Sequence, residues 1–123
     1  MSKPTPRILH VEDDQDFQNF IGLTLKDRGD ITQVATLEEA SRLVKQEEFD
    51  LILLDLTLPD GSGMELVNQL PGKGLTPPIV IFSAHDVTDT VIGADYSFVK
   101  GHFLESDLAD AVDILLSKSE TAV

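Results

Sequence analysis

The stretch LILLD at Leu51–Asp55 decides the fold of this chain. Four apolar residues end in a carboxylate, and the turn residues PDG follow at 59–61. A short apolar run bounded by turn residues is typical of a strand buried on both faces of a parallel sheet. Asp55 then lies at the carboxyl end of that strand, where open parallel sheets place their ligand sites. Because a carboxylate beside buried apolar surface is costly when unpaired, Asp55 needs a cation, a proton or a hydrogen-bond donor next to it.

Length and composition indicate a single globular domain. The chain has 123 residues, of which 41% are hydrophobic, and we find no internal repeat. No apolar run approaches the roughly 18 residues needed to span a bilayer, and the start at 1–7 lacks the apolar segment of a signal peptide. We therefore expect a single cytoplasmic domain over residues 1–123, with tails at 1–6 and 119–123.

Charge and cysteine content exclude several classes of function. A net charge of −13 argues against a nucleic-acid surface, because phosphates would be repelled. The same charge permits cationic partners, including a divalent metal. The chain has no cysteine, which excludes disulfides, thiol catalysis and cysteine metal sites.

Alternating strand and helix patterns predict a flavodoxin-like, doubly wound α/β fold with helices on both faces of the sheet. The common small fold of this class has five parallel strands in the order 2-1-3-4-5, which we predict here. The predicted strands lie at 7–11, 31–35, 51–55, 78–83 and 96–100.

Helical periodicity and capping residues place the helices between these strands. Thr36 and Glu39 form a capping box for the second helix, and 63–70 gives a short third helix ended by Pro71-Gly72. The last helix has Ser106 as a possible cap. Its predicted inner stripe is Leu104, Leu108, Ala111, Val112 and Leu115.

One segment breaks the alternation of strands and helices. Only residues 84–95 separate the fourth and fifth strands, near the minimum for a parallel crossover with its helix. Most residues at 87–92 are β-branched, which disfavours helix. We predict a loop there and no fourth helix.

Four strand ends bring polar side chains to one edge of the predicted sheet. Strands one and three are neighbours, so Glu12 and Asp13 come within reach of Asp55. A cluster of carboxylates favours a hard divalent cation such as Mg²⁺. Ser83 ends strand four with a hydroxyl and Lys100 ends strand five with an ammonium. This set of groups suits phosphoryl transfer, where catalysis is mostly positioning and charge neutralisation.

The ordered set resembles the receiver domains of bacterial two-component response regulators. The matching residues are Val11-Glu12-Asp13, Asp55 followed by Pro59 and Gly63, Ser83-Ala84, and Lys100. Each residue alone has a plainer interpretation, such as a turn acid, a helix cap, a strand terminator or a solvated lysine. The order of all four strand ends favours the family.

The resemblance implies a role for each matching residue. Asp55 would accept a phosphoryl group from a phosphohistidine on a sensor histidine kinase or histidine phosphotransfer protein. Asp13, Asp55 and the backbone carbonyl of Thr57 would bind Mg²⁺ directly, and Glu12 would act mainly through a water. Ser83 would hydrogen-bond a phosphoryl oxygen, and Lys100 would pair with Asp55 and then with the phosphate. Signalling would follow from a changed protein-binding surface. From the net charge and the lack of a spanning apolar run, we expect neither nucleic-acid nor membrane partners.

The interval from Ser83 to Gly93 is shorter than family members usually show, and two further departures concern strand five. The family has a cis proline after its lysine, whereas Gly101 follows Lys100, so we predict a trans or flexible link. The family's switch aromatic lies three residues before the lysine, where this chain has Ser97. Because strand residues alternate in direction, Tyr96 and Phe98 are expected on the opposite face from Ser97.

Two other functions compete with phosphorylation. The departures favour a pseudo-receiver, an interaction module that takes no phosphate, whereas the intact acids, Ser83 and Lys100 argue against it. An aspartyl phosphatase would carry a second carboxylate two residues after its nucleophile, and Thr57 occupies that position here. His10 we interpret as a packed core residue, and Asp14 as a helix cap.

Overall fold

Five parallel strands form the sheet on which this fold is built. The computed structural model describes residues 5–70, 77–84 and 95–121, with side chains as far as residue 117. The strands are β1 (Arg7–Val11), β2 (Asp30–Val34), β3 (Leu51–Asp55), β4 (Thr57–Leu58), β5 (Gly61–Ser62), β6 (Ile79–Ser83) and β7 (Tyr96–Val99). The helices are α1 (Gln15–Thr24), α2 (Leu37–Gln46), α3 (Met64–Gln69) and α4 (Glu105–Thr121). The main sheet has the order β2-β1-β3-β6-β7, which confirms the predicted order.

The sheet register brings the carboxyl ends of the strands to one edge. Val11 pairs with Leu54, Asp55 with Phe82, and Ser83 with Val99. The residues that follow these pairs therefore emerge side by side. A hydrogen bond of 2.8 Å from the Lys100 amide to the Ser83 carbonyl extends the last ladder by one residue.

Two apolar layers cover the sheet, and β3 contributes to both. Leu51 and Leu53 pack with residues of α1 and α4, whereas Ile52 and Leu54 pack with residues of α2 and α3. All five residues of β3 are consequently buried. The continuous apolar run in the sequence reflects this two-sided burial.

Side-chain caps fix the starts of the first two helices. The Thr36 hydroxyl accepts a hydrogen bond of 3.2 Å from the Glu39 amide at the start of α2, which confirms Thr36 as the cap. The Glu39 carboxylate lies 3.2 Å from the same hydroxyl, whereas a full capping box would place it on the Thr36 amide. The Asp14 carboxylate accepts a hydrogen bond of 2.9 Å from the Asp16 amide at the start of α1, as predicted for a cap.

The start of α4 differs from the prediction. Ser106 lies inside the first turn of the helix, and the Leu104 amide donates to the Asp107 carboxylate at 3.1 Å. Leu104 precedes the helix and its side chain is 68% exposed, so its assignment to the inner stripe was wrong. The other four predicted stripe residues are buried. The helix runs to Thr121, into the tail predicted at 119–123.

Several predictions lie outside the described residues. These are the absent fourth helix, which concerns residues 85–94, and the stop of α3 at Pro71-Gly72. Within the described ranges, no helix combines the length and apolar character required to cross a membrane.

Candidate functional site

Asp55 is the centre of the site at the carboxyl edge of the sheet. It is the last residue of β3, and only 5% of it is exposed. One carboxylate oxygen, Oδ1, accepts a hydrogen bond of 3.1 Å from the Thr57 amide. The other, Oδ2, lies 3.3 Å from Nζ of Lys100. Both oxygens of this buried carboxylate therefore have a donor, as the sequence required.

Three carboxylates form an acidic cluster around Asp55. Glu12, Asp13 and Asp55 each offer one oxygen, and these oxygens lie within 4.8 Å of one another. Glu12 is fully buried, whereas Asp13 is exposed at the mouth of the site. Three carboxylates beside a single lysine leave an excess of negative charge on hard oxygen donors, which is the donor set that Mg²⁺ prefers.

Glu12 is the most perturbed acid of the cluster. Burial raises its pKa to about 7, although the Lys100 ammonium and a hydrogen bond of 3.1 Å from the Asp14 amide both favour the ionised form. Oε1 of Glu12 lies 2.6 Å from Nζ of Lys100. The lysine and the Asp14 amide therefore offset only part of the cost of burying the charged Glu12 carboxylate.

Lys100 joins the two ends of the cluster. Burial lowers its pKa, but the carboxylates of Glu12 and Asp55 outweigh that effect, so the pKa stays above its ordinary value. The amine is therefore a fixed positive charge between two buried carboxylates. Its approach to Asp55, together with that of Asp13, confirms the convergence predicted from the strand ends.

Ser83 and Gly63 lie near Asp55 at the same edge of the sheet. Ser83 is buried at the end of β6, one residue beyond the Phe82 that pairs with Asp55. Gly63 lies against the backbone of Asp55, since a Cβ atom placed on it would come within 2.3 Å of the Asp55 carbonyl oxygen. The turn after β3 can close only because this position has no side chain.

His10 packs beneath the site as a core residue, as predicted. It is fully buried, and its Nδ1 lies 2.6 Å from Oε1 of Gln33. Burial lowers its pKa to about 4, so the ring is neutral at pH 7. Phe17 and Phe82 flank the ring at centroid distances of 6.0 and 6.3 Å.

Two side-chain contacts were missed from the sequence. The Phe17 ring lies under the Lys100 amine at 4.8 Å. Asp60, interpreted only as a turn residue, accepts hydrogen bonds from the amides of Leu37 and Glu38 at the start of α2. Helical spacing indicates a buried face for Phe17 but not which strand-end side chain meets it.

The family model of the response regulator receiver domain matches residues 8–102. The chain belongs to this family. Among its curated relatives, the transcriptional regulatory protein CiaR of Streptococcus pneumoniae is 36% identical over 118 residues, which cover 92% of this chain and 52% of CiaR. This receiver domain therefore spans about half the length of that relative.

Solved receiver structures share the fold. The receiver domain of the Francisella response regulator 1452 superposes with a TM-score of 0.81 at 28% identity, covering 93% of this chain and 98% of that one. The response regulator TrrA of Thermotoga maritima, solved in complex with Mg²⁺–BeF, gives a TM-score of 0.78 at 26% identity, covering 89% and 98%.

This receiver domain replaces the family's proline after the site lysine with Gly101. The Lys100–Gly101 peptide bond is trans, as predicted. Gly101 has φ +80°, a conformation that favours glycine, and a Cβ atom on it would meet nothing within 4 Å. The turn after β7 therefore depends on the backbone conformation of Gly101 and not on the packing of a proline ring at that position.

The aromatic residues of β7 lie on the face that was predicted for this receiver domain. Phe98 pairs with Phe82 in register and stacks on it at 6.0 Å, within the layer formed by α1 and α4. Tyr96 stacks on Phe98 at 6.5 Å. Ser97 pairs with Ile81, which belongs to the opposite layer.

Proposed function

We propose that this receiver domain accepts a phosphoryl group on Asp55 from the phosphohistidine of a sensor histidine kinase or a histidine phosphotransfer protein. The observation that carries the proposal is the convergence on Asp55 of a lysine amine at 3.3 Å and two further carboxylates within 4.8 Å. These groups come from the ends of β1, β3 and β7, so the fold itself assembles them.

The chemistry assigned to Asp55 is nucleophilic attack on phosphorus. A carboxylate oxygen forms the new P–O bond while the P–N bond of the phosphohistidine breaks, and the imidazole leaves with the bonding electrons. Lys100, already at hydrogen-bond distance from Asp55, offsets the negative charge that the phosphoryl oxygens bring. The Ser83 hydroxyl, at the neighbouring strand end, would donate to one of those oxygens.

The residues present fit a divalent cation. Glu12, Asp13, Asp55 and the backbone carbonyl of Thr57 would hold Mg²⁺, which supplies charge neutralisation for the incoming phosphoryl oxygens. The acidic cluster of this chain supports this assignment, and TrrA binds Mg²⁺ together with a beryllofluoride group.

Phosphorylation would signal by changing a protein-binding surface. A phosphoryl group adds nearly two negative charges at one point of the edge that joins β3, β6 and β7. We infer a downstream protein partner and a cytoplasmic setting for this exchange. CiaR, a transcriptional regulator, illustrates one kind of output among relatives about twice the length of this chain.

Intact-protein mass spectrometry after incubation with acetyl phosphate and Mg²⁺ tests the proposal. We expect one added phosphoryl group, which peptide mapping assigns to Asp55 and which the Asp55→Asn variant lacks. Omitting Mg²⁺ should abolish the addition. An unmodified wild-type protein would instead favour the pseudo-receiver, an interaction module that takes no phosphate.

A further inference from the structure

An aromatic ring lies directly under the lysine of the site. Phe17 is the third residue of α1, and its ring centroid lies 4.8 Å from Nζ of Lys100. The face of an aromatic ring carries negative potential and attracts an ammonium within about 6 Å. The contact therefore belongs to the electrostatic environment of Lys100 as well as to the core.

Among the described residues, the carboxylates of Glu12 and Asp55 are the main other restraints on the position of Lys100. Its side chain is 25% exposed and has a flexible four-carbon stem. The residue that follows is glycine, with open space where a side chain would stand. The carboxylates of Glu12 and Asp55, at 2.6 and 3.3 Å, attract the amine from two sides, and the Phe17 ring lies against it on a third side.

The ring itself is held in place by other aromatic residues. Phe17 packs edge-to-face on Phe82 with centroids 5.1 Å apart, and Phe82 is the register partner of Asp55 on the adjacent strand. Phe20 and Phe103 pack against Phe17 at 5.8 and 6.5 Å. This cluster fixes the ring relative to the phosphoacceptor, since Phe82 is fully buried in β6.

We propose that Phe17 is a positioning residue for Lys100. Its ring keeps the amine between the carboxylates of Glu12 and Asp55. The ammonium is then already beside Asp55 when a phosphoryl group is added there. This inference rests on the proposed function for its effect on phosphorylation, whereas the placement of the amine can be measured in the free protein. Without the ring, Lys100 would spend part of its time in solvent.

Three variants separate positioning from packing. Phe17→Leu removes the ring but keeps an apolar side chain, and Phe17→Tyr keeps the ring face. Phe20→Leu is the matched control, because Phe20 lies in the same cluster and helix, yet among the described residues Lys100 lies over the ring of Phe17 and not that of Phe20. Thermal unfolding of each variant shows whether it folds.

The first readout is the initial rate of phosphorylation by acetyl phosphate at saturating Mg²⁺. We expect Phe17→Leu to slow the rate about threefold to tenfold, with Phe17→Tyr and Phe20→Leu within about twofold of wild type. Equal rates for Phe17→Leu and Phe20→Leu, or a Phe17→Tyr variant as slow as Phe17→Leu, would overturn the proposal.

The second readout is the chemical shift of the Lys100 Hε protons, assigned by their loss in Lys100→Arg. The Phe17 ring current should move these protons upfield in wild type, Phe17→Tyr and Phe20→Leu, and the shift should vanish in Phe17→Leu. A Lys100 shift at the ordinary lysine position in wild type would overturn the positioning role. If wild type takes no phosphate, the function proposed for Asp55 fails, and this shift still decides where Phe17 places the amine.

Discussion

Lys100 lies closer to Glu12, at 2.6 Å, than to the Asp55 carboxylate, at 3.3 Å. The lysine is therefore a partner of the fully buried Glu12 in the unmodified domain, and not of Asp55 alone. Because the amine already stands between the two acids, a small movement suffices to meet a group added to Asp55. The pair also makes stability depend on pH.

Replacing Lys100 with glutamine should destabilise the fold more at high pH than at low pH. The folded pKa of Glu12, about 7, exceeds its ordinary value of 4.5, so the folded state retains a proton longer than the unfolded state. Stability from this group therefore falls as pH rises from about 4.5 to about 7. Without the lysine the pKa rises further, which extends the loss to higher pH.

Urea unfolding with a chelator present checks this prediction. We expect Lys100→Gln to lose on the order of 1 kcal/mol at about pH 8, and less at about pH 6, where Glu12 can bind a proton instead. A difference from wild type that stays constant across this range would contradict the pairing of Lys100 with Glu12.

Compared with wild type, Asp13→Asn should have a lower melting temperature when Mg²⁺ is present but not when it is absent. Removing one of three neighbouring negative charges relieves repulsion, so the metal-free variant should melt at the same temperature as wild type or higher. The rise in melting temperature caused by Mg²⁺ should be largely lost, since the variant lacks a charged ligand. Differential scanning calorimetry at several Mg²⁺ concentrations measures both.

Asp14→Asn is the matched control for this comparison. It removes the same charge from the next residue, and asparagine caps a helix about as well as aspartate. Its response to Mg²⁺ should equal that of wild type. If both variants lost the response equally, general charge and not ligation would explain the effect.

Asp60 ties the segment after β3 to the start of α2. Its carboxylate accepts hydrogen bonds of 2.8 and 3.0 Å from the amides of Leu37 and Glu38, and the first of these is the main reason that its pKa is lowered. A lowered pKa gives stability that is fully present above the ordinary value of 3.8 and is lost as pH falls below that value through the lower folded pKa.

Asp60→Ala should therefore melt below wild type at about pH 7, with a smaller difference at about pH 3. Circular dichroism against temperature measures the two curves. If the difference in melting temperature between Asp60→Ala and wild type were the same at both pH values, the hydrogen bonds from α2 to the Asp60 carboxylate would be excluded.

Gly63→Ala should destabilise the domain and distort the site. The added methyl group would lie 2.3 Å from the Asp55 carbonyl oxygen, so the backbone after β3 must move, at a cost of about 1–3 kcal/mol. Gly22→Ala, inside α1, is the control. Its Cβ atom would meet the Gln33 side chain at 3.8 Å, which is an ordinary van der Waals contact. That substitution should stabilise by up to about 1 kcal/mol. Equal effects in chemical denaturation would contradict the close approach at Gly63.

The strand order and the position of the acidic cluster were predictable because they follow from residue pattern. The two-sided burial of β3 leaves an apolar run, and its terminal carboxylate marks the edge where Glu12 and Lys100 also emerge. The cap at Thr36 is local in sequence, because its partner Glu39 lies three residues further on. The cluster joins residues far apart in the sequence, and it was predictable because the carboxyl ends of parallel strands meet at one edge of a sheet.

Contacts between distant segments that do not follow from the strand ends were not predictable in the same way. The ring of Phe17 meets Lys100, and Asp60 meets α2, through side-chain directions that depend on how separate elements dock. The hairpin of β4 and β5 was missed because two-residue strands leave no periodic signal. Leu104 was misplaced because its spacing matched the α4 stripe, although the helix begins one residue later.

The decisive measurement of phosphoryl acceptance at Asp55 is a crystal structure of this receiver domain with Mg²⁺ and beryllofluoride. We expect beryllofluoride on an Asp55 oxygen and the metal beside Glu12 and Asp13. The Lys100 amine and the Ser83 hydroxyl should lie at hydrogen-bond distance from the fluorines. An unmodified Asp55 with metal present, or a Lys100 amine turned away from the group, would contradict the proposal.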